Sequence, residues 1–129
     1  MSTVDCDATT RAGRLTKARQ FARSARDALD LADEARDVAD AFVTLAAHAG
    51  TAASDVICCT RLGVHHRGER HQDAIALLKK ADPDAARALA VLLSLKTLAG
   101  YAAATVSTKD LLRAERAMAA LLDAANAVS

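Results

Sequence analysis

Apolar residues recur at steps of three and four along most of this chain, a pattern that predicts amphipathic α-helices. One apolar stripe covers residues 15–32 and a second covers residues 35–59. The two stripes do not join in phase, because continuing the first one would bury Arg36. We therefore expect a tight turn near residues 30–34 between two helices, with Asp33 capping the second.

Local chemistry marks the ends of the next elements. Gly63 predicts the C-terminal end of the second helix, and a loop follows as far as residue 70. A short helix is expected over residues 71–80. The pair Asp82-Pro83 then starts a further helix, because aspartate caps free backbone N–H groups and proline has no N–H to lose at the first helical position.

Two long helices complete the pattern. The helix that begins at Pro83 is apolar almost all round as far as residue 104, so we expect neighbours on several of its sides. Ser107 and Asp110 form a pair like a capping box, which opens a last helix over residues 108–128. The predicted fold is all-α, an antiparallel bundle of four long helices and one short helix.

Composition supports helices and sets the size of the domain. Alanine supplies 33 of the 129 residues, whereas aromatic residues are 2% of the chain. A core of alanine and leucine suits closely packed helices and excludes β-sandwiches and barrels, whose strands draw on β-branched and aromatic residues. At this length we expect one helical-bundle domain over residues 10–128, after a disordered N-terminal tail over residues 1–9.

Charge and cysteine content narrow the function classes. Seventeen basic and sixteen acidic residues give a net charge of +1, which lacks the basic excess of a dedicated nucleic-acid binder. Three cysteines do not make a disulfide framework, and the neighbours Cys58 and Cys59 cannot bridge each other on a helix; we expect them to be buried or half-buried thiols. No signal peptide or membrane span is expected, so the predicted location is the cytoplasm.

The predicted loop and its flanks concentrate the side chains that can do chemistry: Arg61, His65, His66, Arg67, Glu69, Arg70 and His71. A zinc site that adds a cysteine to two histidines is one interpretation, but the spacing fits no ligand pattern, and we expect no metal. A second interpretation is a phosphate or RNA site, in which a histidine transfers a proton and the arginines contact the phosphate: Arg61, Arg67 and Arg70. A solvated loop is the interpretation we favour, because the loop has no aromatic residue on which bases could stack.

Small residues in the second predicted helix indicate a close helix crossing. Ala49, Gly50, Ala52 and Ala53 would let a neighbouring backbone approach, either within the chain or across a dimer. A glycine inside a helix costs about 1 kcal/mol relative to alanine, and a close crossing is a physical reason to keep it there. His48 is expected to be a packing or interface histidine.

Four polar residues share one face of the helix that begins at Pro83: Arg87, Ser94, Thr97 and Tyr101. Their spacings of seven, three and four place them in one row along the helix. Such a face could be a ligand site, a dimer contact or the solvent-exposed edge of the domain. We expect it to be the solvent-exposed edge.

Three segments in this order resemble a known superfamily. They are HAG-TAASD on the second predicted helix, the glycine-bounded loop, and LLSLKTLAGYAAATVSTKD before an alanine-rich last helix. Over roughly residues 10–128 the chain is similar to the HEPN superfamily (higher eukaryotes and prokaryotes nucleotide-binding domain), in particular to its small actinobacterial members. The resemblance implies a bundle of four or five helices that commonly dimerises and often works with a nucleotidyltransferase in bacterial toxin–antitoxin or defence pairs.

Many HEPN members are metal-independent ribonucleases that use an arginine and a histidine with four to six residues between them. Arg61 and His66 have that spacing here, whereas the stretch that looks equivalent in position to the family's pair offers Lys96 and Tyr101. Lys96 can hold a phosphate, but a tyrosine hydroxyl is a poor general base at neutral pH. We therefore expect a non-catalytic interaction module without a cofactor, which forms a homodimer and pairs with a nucleotidyltransferase-like partner. The alternative is a ribonuclease toxin that uses Arg61 and His66.

Overall fold

The computed structural model describes residues 2–129, and within them five α-helices dominate the fold. The elements in chain order are β1 (Thr3–Asp5), α1 (Ala8–Leu31), a 3-10 turn (Ala35–Val38), α2 (Ala39–Leu62), β2 (Val64–His66), α3 (His71–Ala81), α4 (Pro83–Tyr101) and α5 (Thr108–Val128). The prediction of an all-α protein with four long helices and one short helix is confirmed at this level.

Three of the predicted helix ends are present with the expected chemistry. The Asp82 side chain accepts a hydrogen bond from the backbone N–H of Ala85, and Pro83 is the first residue of α4. The Ser107 hydroxyl accepts the backbone N–H of Asp110 at 3.1 Å. Gly63 ends α2 with φ of 75°, a left-handed conformation that a residue with a side chain rarely adopts.

The turn between α1 and α2 differs from the prediction. Asp33 does not cap α2; a 3-10 turn comes first, and α2 begins at Ala39 without a side-chain cap. The α4 helix ends at Tyr101, three residues before the predicted position 104. Its last turn holds Gly100, which lowers helix stability, and the three residues that follow are exposed alanines without a buried face.

The α2 helix lies between α1, α4 and α5 and contacts all three. Its small residues allow the close approach: a Cβ atom placed on Gly50 would lie 2.5 Å from Leu92 Cδ1 on α4 and 3.1 Å from Leu121 Cδ1 on α5. The neighbouring Ala49, Ala52 and Ala53 are fully buried inside the chain. This surface is therefore covered by the chain's own helices and is not free for a dimer contact.

The N-terminal segment is not the disordered tail that we expected over residues 1–9; Met1 lies outside the described residues. Strand β1 pairs with β2 in an antiparallel register that places Thr3 opposite His66. Cys6, which follows β1, forms a disulfide with Cys59 in the last turn of α2. The expectation of a buried thiol holds for Cys58 but is wrong for Cys59, since the disulfide joins residues 53 positions apart that no local pattern connects.

One helical stretch, Ala35–Leu62, is long and apolar enough to cross a membrane. Most of it is buried against other helices, as in the core helix of a soluble protein. One reason for expecting a cytoplasmic location was that the cysteines do not form a disulfide framework. The Cys6–Cys59 disulfide removes that reason, because disulfides persist mainly in oxidising compartments. A cytoplasmic location stays a prediction.

Candidate functional site

Three adjoining cavities form one open groove along α2, with volumes of about 320, 510 and 330 Å³. Thr51 and His66 line both the first and the second cavity. His71, Lys96 and Tyr101 line both the second and the third. We call these three neighbouring cavities, with the residues that line them, the histidine groove.

The floor of the histidine groove is one face of α2. Thr44, His48, Thr51 and Asp55 all line it, and their spacings of four, three and four place them in one row along the helix. The groove thus follows the only polar stripe of a helix that is otherwise buried in the core.

All four histidines of the chain line this groove: His48, His65, His66 and His71. His48 comes from α2, the next two from β2, and His71 from the first position of α3. The sequence places three of them in one short loop region, and only folding brings His48 beside them.

The charges around the histidine groove are mainly positive. Four cations line it, Arg14, Arg67, Arg70 and Lys96, together with two acidic residues, Asp55 and Glu69. Arg70 has a loose ion pair with Asp73, 3.8 Å away, and its side chain is largely exposed, so this pair leaves the guanidinium available to a ligand. A chain with a net charge of +1 therefore has an excess of cations over carboxylates along this groove.

At the inner end of the groove, Asp55 is buried and ion-paired. Its Oδ2 accepts a hydrogen bond of 2.8 Å from Arg14 Nε, which reaches across from α1. Burial raises the pKa of Asp55, while the charges of Arg14 and then of His65 and His66 oppose that rise. The Arg14 guanidinium supplies the partner that a buried carboxylate needs.

Asp55 also lies close to the ring of His65. The Nδ1 atom of His65 is 3.9 Å from Asp55 Oδ1 and donates a hydrogen bond of 3.0 Å to the backbone carbonyl of His66. That bond places a proton on Nδ1 and leaves Nε2 as the ring atom that can accept a proton or bind a ligand. The ring of His65 therefore lies on the side of β2 that faces Asp55 of α2.

His48 sits between an aromatic ring and a cation. It stacks on Phe21 of α1, with ring centroids 5.3 Å apart and an angle of 28° between the planes. Burial lowers the pKa of His48, and the positive charge of Lys96 lowers it further. His48 and Lys96 also line the same cavity, so one ligand there can contact both.

The structure brings most of the sequence-predicted site residues together. Arg67 lines the first cavity, and Arg70, Lys96 and Tyr101 line the second. Arg61 is exposed near the end of α2 and lines none of the three cavities, whereas His66 lines two of them. The Arg61/His66 pair is therefore not a pair within this groove.

The solvent-edge prediction fits the observed exposure of its four residues: Arg87, Ser94, Thr97 and Tyr101. Tyr101 is 89% exposed yet borders the groove, so that edge of α4 forms part of its rim. The groove thus has a solvent-facing side formed by the last turns of α4.

Sequence reasoning missed Arg14 and Asp55. Asp55 carries a signal that could have been used, because it is the only aspartate, glutamate, lysine or arginine in residues 41–60. Arg14 has no such signal, since it is one of five arginines on α1 and the other four look the same in sequence.

Metal chemistry has little support in the residues present. Within residues 2–129, no three histidine, cysteine or acidic side chains come close enough together to hold an ion. Cys59 is in the disulfide, and burial together with the charge of Asp55 raises the pKa of Cys58 to about 11. A thiol needs to lose its proton to bind a metal, so Cys58 is a poor ligand at neutral pH.

The HEPN resemblance concerns segments that line this groove. The HAG-TAASD segment supplies His48, Thr51 and Asp55, and the LKTLAGY segment supplies Lys96 and Tyr101. Membership of the superfamily rests on these residues alone and stays a prediction. No protein-family model, curated protein or solved structure significantly matches this chain.

Proposed function

We propose that this chain is a non-catalytic, HEPN-like helical interaction module whose histidine groove receives a phosphate-bearing ligand. The observation that carries the proposal is the convergence of Arg67, Arg70 and Lys96 with all four histidines on one groove. Guanidinium and ammonium groups form charge-assisted hydrogen bonds with phosphate oxygens, and histidine adds donors that depend on pH.

The open shape of the groove favours an extended ligand. Its three cavities follow one another along α2 and stay accessible from solvent at the Tyr101 rim. Such a surface suits a short single-stranded RNA, whose successive phosphates can meet successive cations and whose bases can stack on Tyr101. RNA is therefore the phosphate-bearing ligand chosen for the test.

The positions and partners of the reactive side chains favour binding over catalysis. Asp55 is already bound to Arg14, which leaves it unsuited to act as a free general base. Arg61 lies outside the groove, so no arginine at the spacing typical of HEPN ribonucleases faces His66 there. Binding rather than phosphodiester cleavage is the activity that these positions support.

A metal-independent ribonuclease is the second candidate, and one observation favours it. His66 lines both of the first two cavities, beside Arg67 in one and Lys96 in the other. A histidine near neutral pH with a cation beside it is the minimal set for moving a proton and holding a phosphodiester. Under this candidate Arg67 or Lys96, rather than Arg61, would contact the phosphate.

The experiment is an RNA-binding titration with a matched pair of variants. A ten-nucleotide single-stranded RNA labelled with fluorescein is titrated with the full chain, and anisotropy reports the affinity. Lys96→Ala is expected to weaken binding at least tenfold, because one charge-assisted phosphate contact is worth roughly 1.5–3 kcal/mol. Lys109→Ala, an exposed lysine on α5 outside the groove, is expected to bind like wild type.

Two outcomes would contradict the proposal. Equal losses in Lys96→Ala and Lys109→Ala would mean that binding does not use the groove. If wild-type protein cleaves the same RNA and His66→Ala abolishes the cleavage, the ribonuclease candidate replaces the binding module.

The assembly belongs to the same proposal. We take the helices to form an antiparallel bundle, supported by the central place of α2 and by the single residue, Asp82, that joins α3 to α4. Exposed apolar side chains on α4 and α5, Leu98 and Leu112, support a homodimer. A nucleotidyltransferase-like partner and a bacterial toxin–antitoxin or defence role rest on the HEPN resemblance.

The dimer is tested by sedimentation velocity on the wild-type chain. We expect a species of about twice the mass of one chain at micromolar concentration. A monomer throughout that range would contradict the dimer and leave the groove proposal standing, because every groove residue named above comes from a single chain.

A further inference from the structure

The Cys6–Cys59 disulfide joins the segment after β1 to the last turn of α2, which directly precedes β2. Cys6 lies between β1 and α1, and Cys59 lies in the last turn of α2, four residues before Gly63. The two Cα atoms are 5.7 Å apart, and the backbone N–H of Cys6 donates a hydrogen bond of 3.1 Å to the Gly63 carbonyl. The covalent link therefore holds the chain just before α1 against the start of β2.

Strand β2 has one paired neighbour within residues 2–129, and that neighbour is β1. The ladder is three residues long, and the N–H of Arg67 extends it by one bond to the Ser2 carbonyl. A two-stranded ladder of this length is marginally stable in water. The disulfide therefore keeps β1 next to β2, which the short ladder alone would do only weakly.

Strand β2 is also a wall of the histidine groove, since His65 and His66 line its first cavity. Gly63 and Gly68, with φ of 75° and 115°, stand on either side of the strand. Glycines in these conformations can change φ and ψ without a steric penalty, so the segment between them can move once β1 is released. The position of two groove histidines thus depends on a bond located outside the groove.

We propose that the Cys6–Cys59 disulfide is a redox switch for ligand binding in the histidine groove. With the disulfide formed, β1 holds β2 and the groove keeps its wall; with it reduced, β1 detaches and the histidines of β2 lose their fixed position. This regulation rests on the binding function proposed above.

The chemistry of the switch is thiol–disulfide exchange with a dithiol reductant. A thiolate of the reductant attacks Sγ of Cys6, the less buried of the two cysteines, and the Cys59 sulfur leaves as a thiolate that takes up a proton. The second thiol of the reductant then attacks the mixed disulfide and releases the Cys6 thiol. The protein gains two electrons and two protons, and the reductant becomes a cyclic disulfide.

Cys58 does not take part, although it is next to Cys59 in sequence. Its side chain is buried and points away from its neighbour on the helix, as residues one apart do. Burial raises the pKa of its thiol to about 11, which removes the thiolate that exchange needs. Cys58→Ser is therefore the matched control.

The test compares the full chain in its oxidised and dithiothreitol-reduced forms. Hydrogen exchange is followed at the amides of residues 64–67, and the same fluorescein-labelled RNA measures affinity. We expect reduction to speed exchange at these amides at least tenfold, leave the α5 amides unchanged and weaken RNA binding at least fivefold. Cys6→Ser is expected to match the reduced form, and Cys58→Ser to keep the full response.

The two readouts separate this proposal from the binding function. Faster exchange at residues 64–67 with no RNA binding in either form would refute the binding function and, with it, the switch of binding, although the predicted release of β2 would have occurred. Unchanged exchange on reduction, or affinities of the two forms within twofold of each other, would overturn the switch alone. Loss of the helical circular-dichroism signal on reduction would also overturn it, because the disulfide would then hold the whole fold rather than one strand.

Discussion

At the scale of single residues, His48 shows how the histidine groove is prepared for an anion. Its pKa is lowered by burial and by the Lys96 charge, so its neutral form is favoured in the free protein. A phosphate bound beside Lys96 would cancel that charge and raise the pKa of His48 again. Binding then takes up a proton, and affinity strengthens as the pH falls through the bound-state pKa toward the lower free-state pKa.

Some residues of the site could be predicted from the sequence and others could not. We could propose phosphate contacts for Arg67, Arg70 and Lys96, because the residue type alone shows that these side chains are positively charged. The ion pair of Arg14 with Asp55 could not, because it joins residues 41 positions apart on different helices. Only the lone charge of Asp55 within an apolar stretch pointed to it.

At the scale of elements, the features determined by neighbouring residues could be predicted and those determined by distant ones could not. The caps at Asp82 and Ser107 and the stop at Gly63 depend on backbone groups within a few positions, and all three are present. The pairing of β1 with β2 depends on segments about 60 residues apart, and three-residue strands carry no periodic signal of their own.

The close crossing at Gly50 predicts that the same glycine-to-alanine substitution has different effects on stability at Gly50 and at Gly13. Gly13 lies on α1 with open space around it, so Gly13→Ala should raise the free energy of unfolding by up to about 1 kcal/mol through helix propensity. At Gly50 the added methyl group would press on Leu92 and Leu121, and overpacking of this kind costs about 1–3 kcal/mol. We therefore expect Gly50→Ala to leave stability unchanged or to lower it by as much as about 2 kcal/mol.

Urea denaturation followed by circular dichroism measures both changes on the same chain. Stabilisation of Gly50→Ala by as much as Gly13→Ala would show that α4 and α5 do not press on α2 at this point.

At the scale of the whole molecule, the alanine-rich composition accounts for a closely packed core with the histidine groove at its surface. Small side chains let α1, α4 and α5 pack close to α2, and the buried face of α2 is almost wholly apolar. The polar stripe from Thr44 to Asp55 is the part of α2 that no helix covers fully, and β2, α3 and α4 border it instead. The α2 helix thus contributes its apolar face to the core and its polar stripe to the histidine groove.

The histidine ring signals of the nuclear magnetic resonance spectrum test the groove most directly, because every histidine of the chain lines it. A pH titration of these rings is recorded with and without the ten-nucleotide RNA. The account predicts that RNA shifts the ring signals and raises the pKa of His48 from its lowered value. Ring signals and a His48 pKa that stay unchanged at a saturating RNA concentration would contradict it.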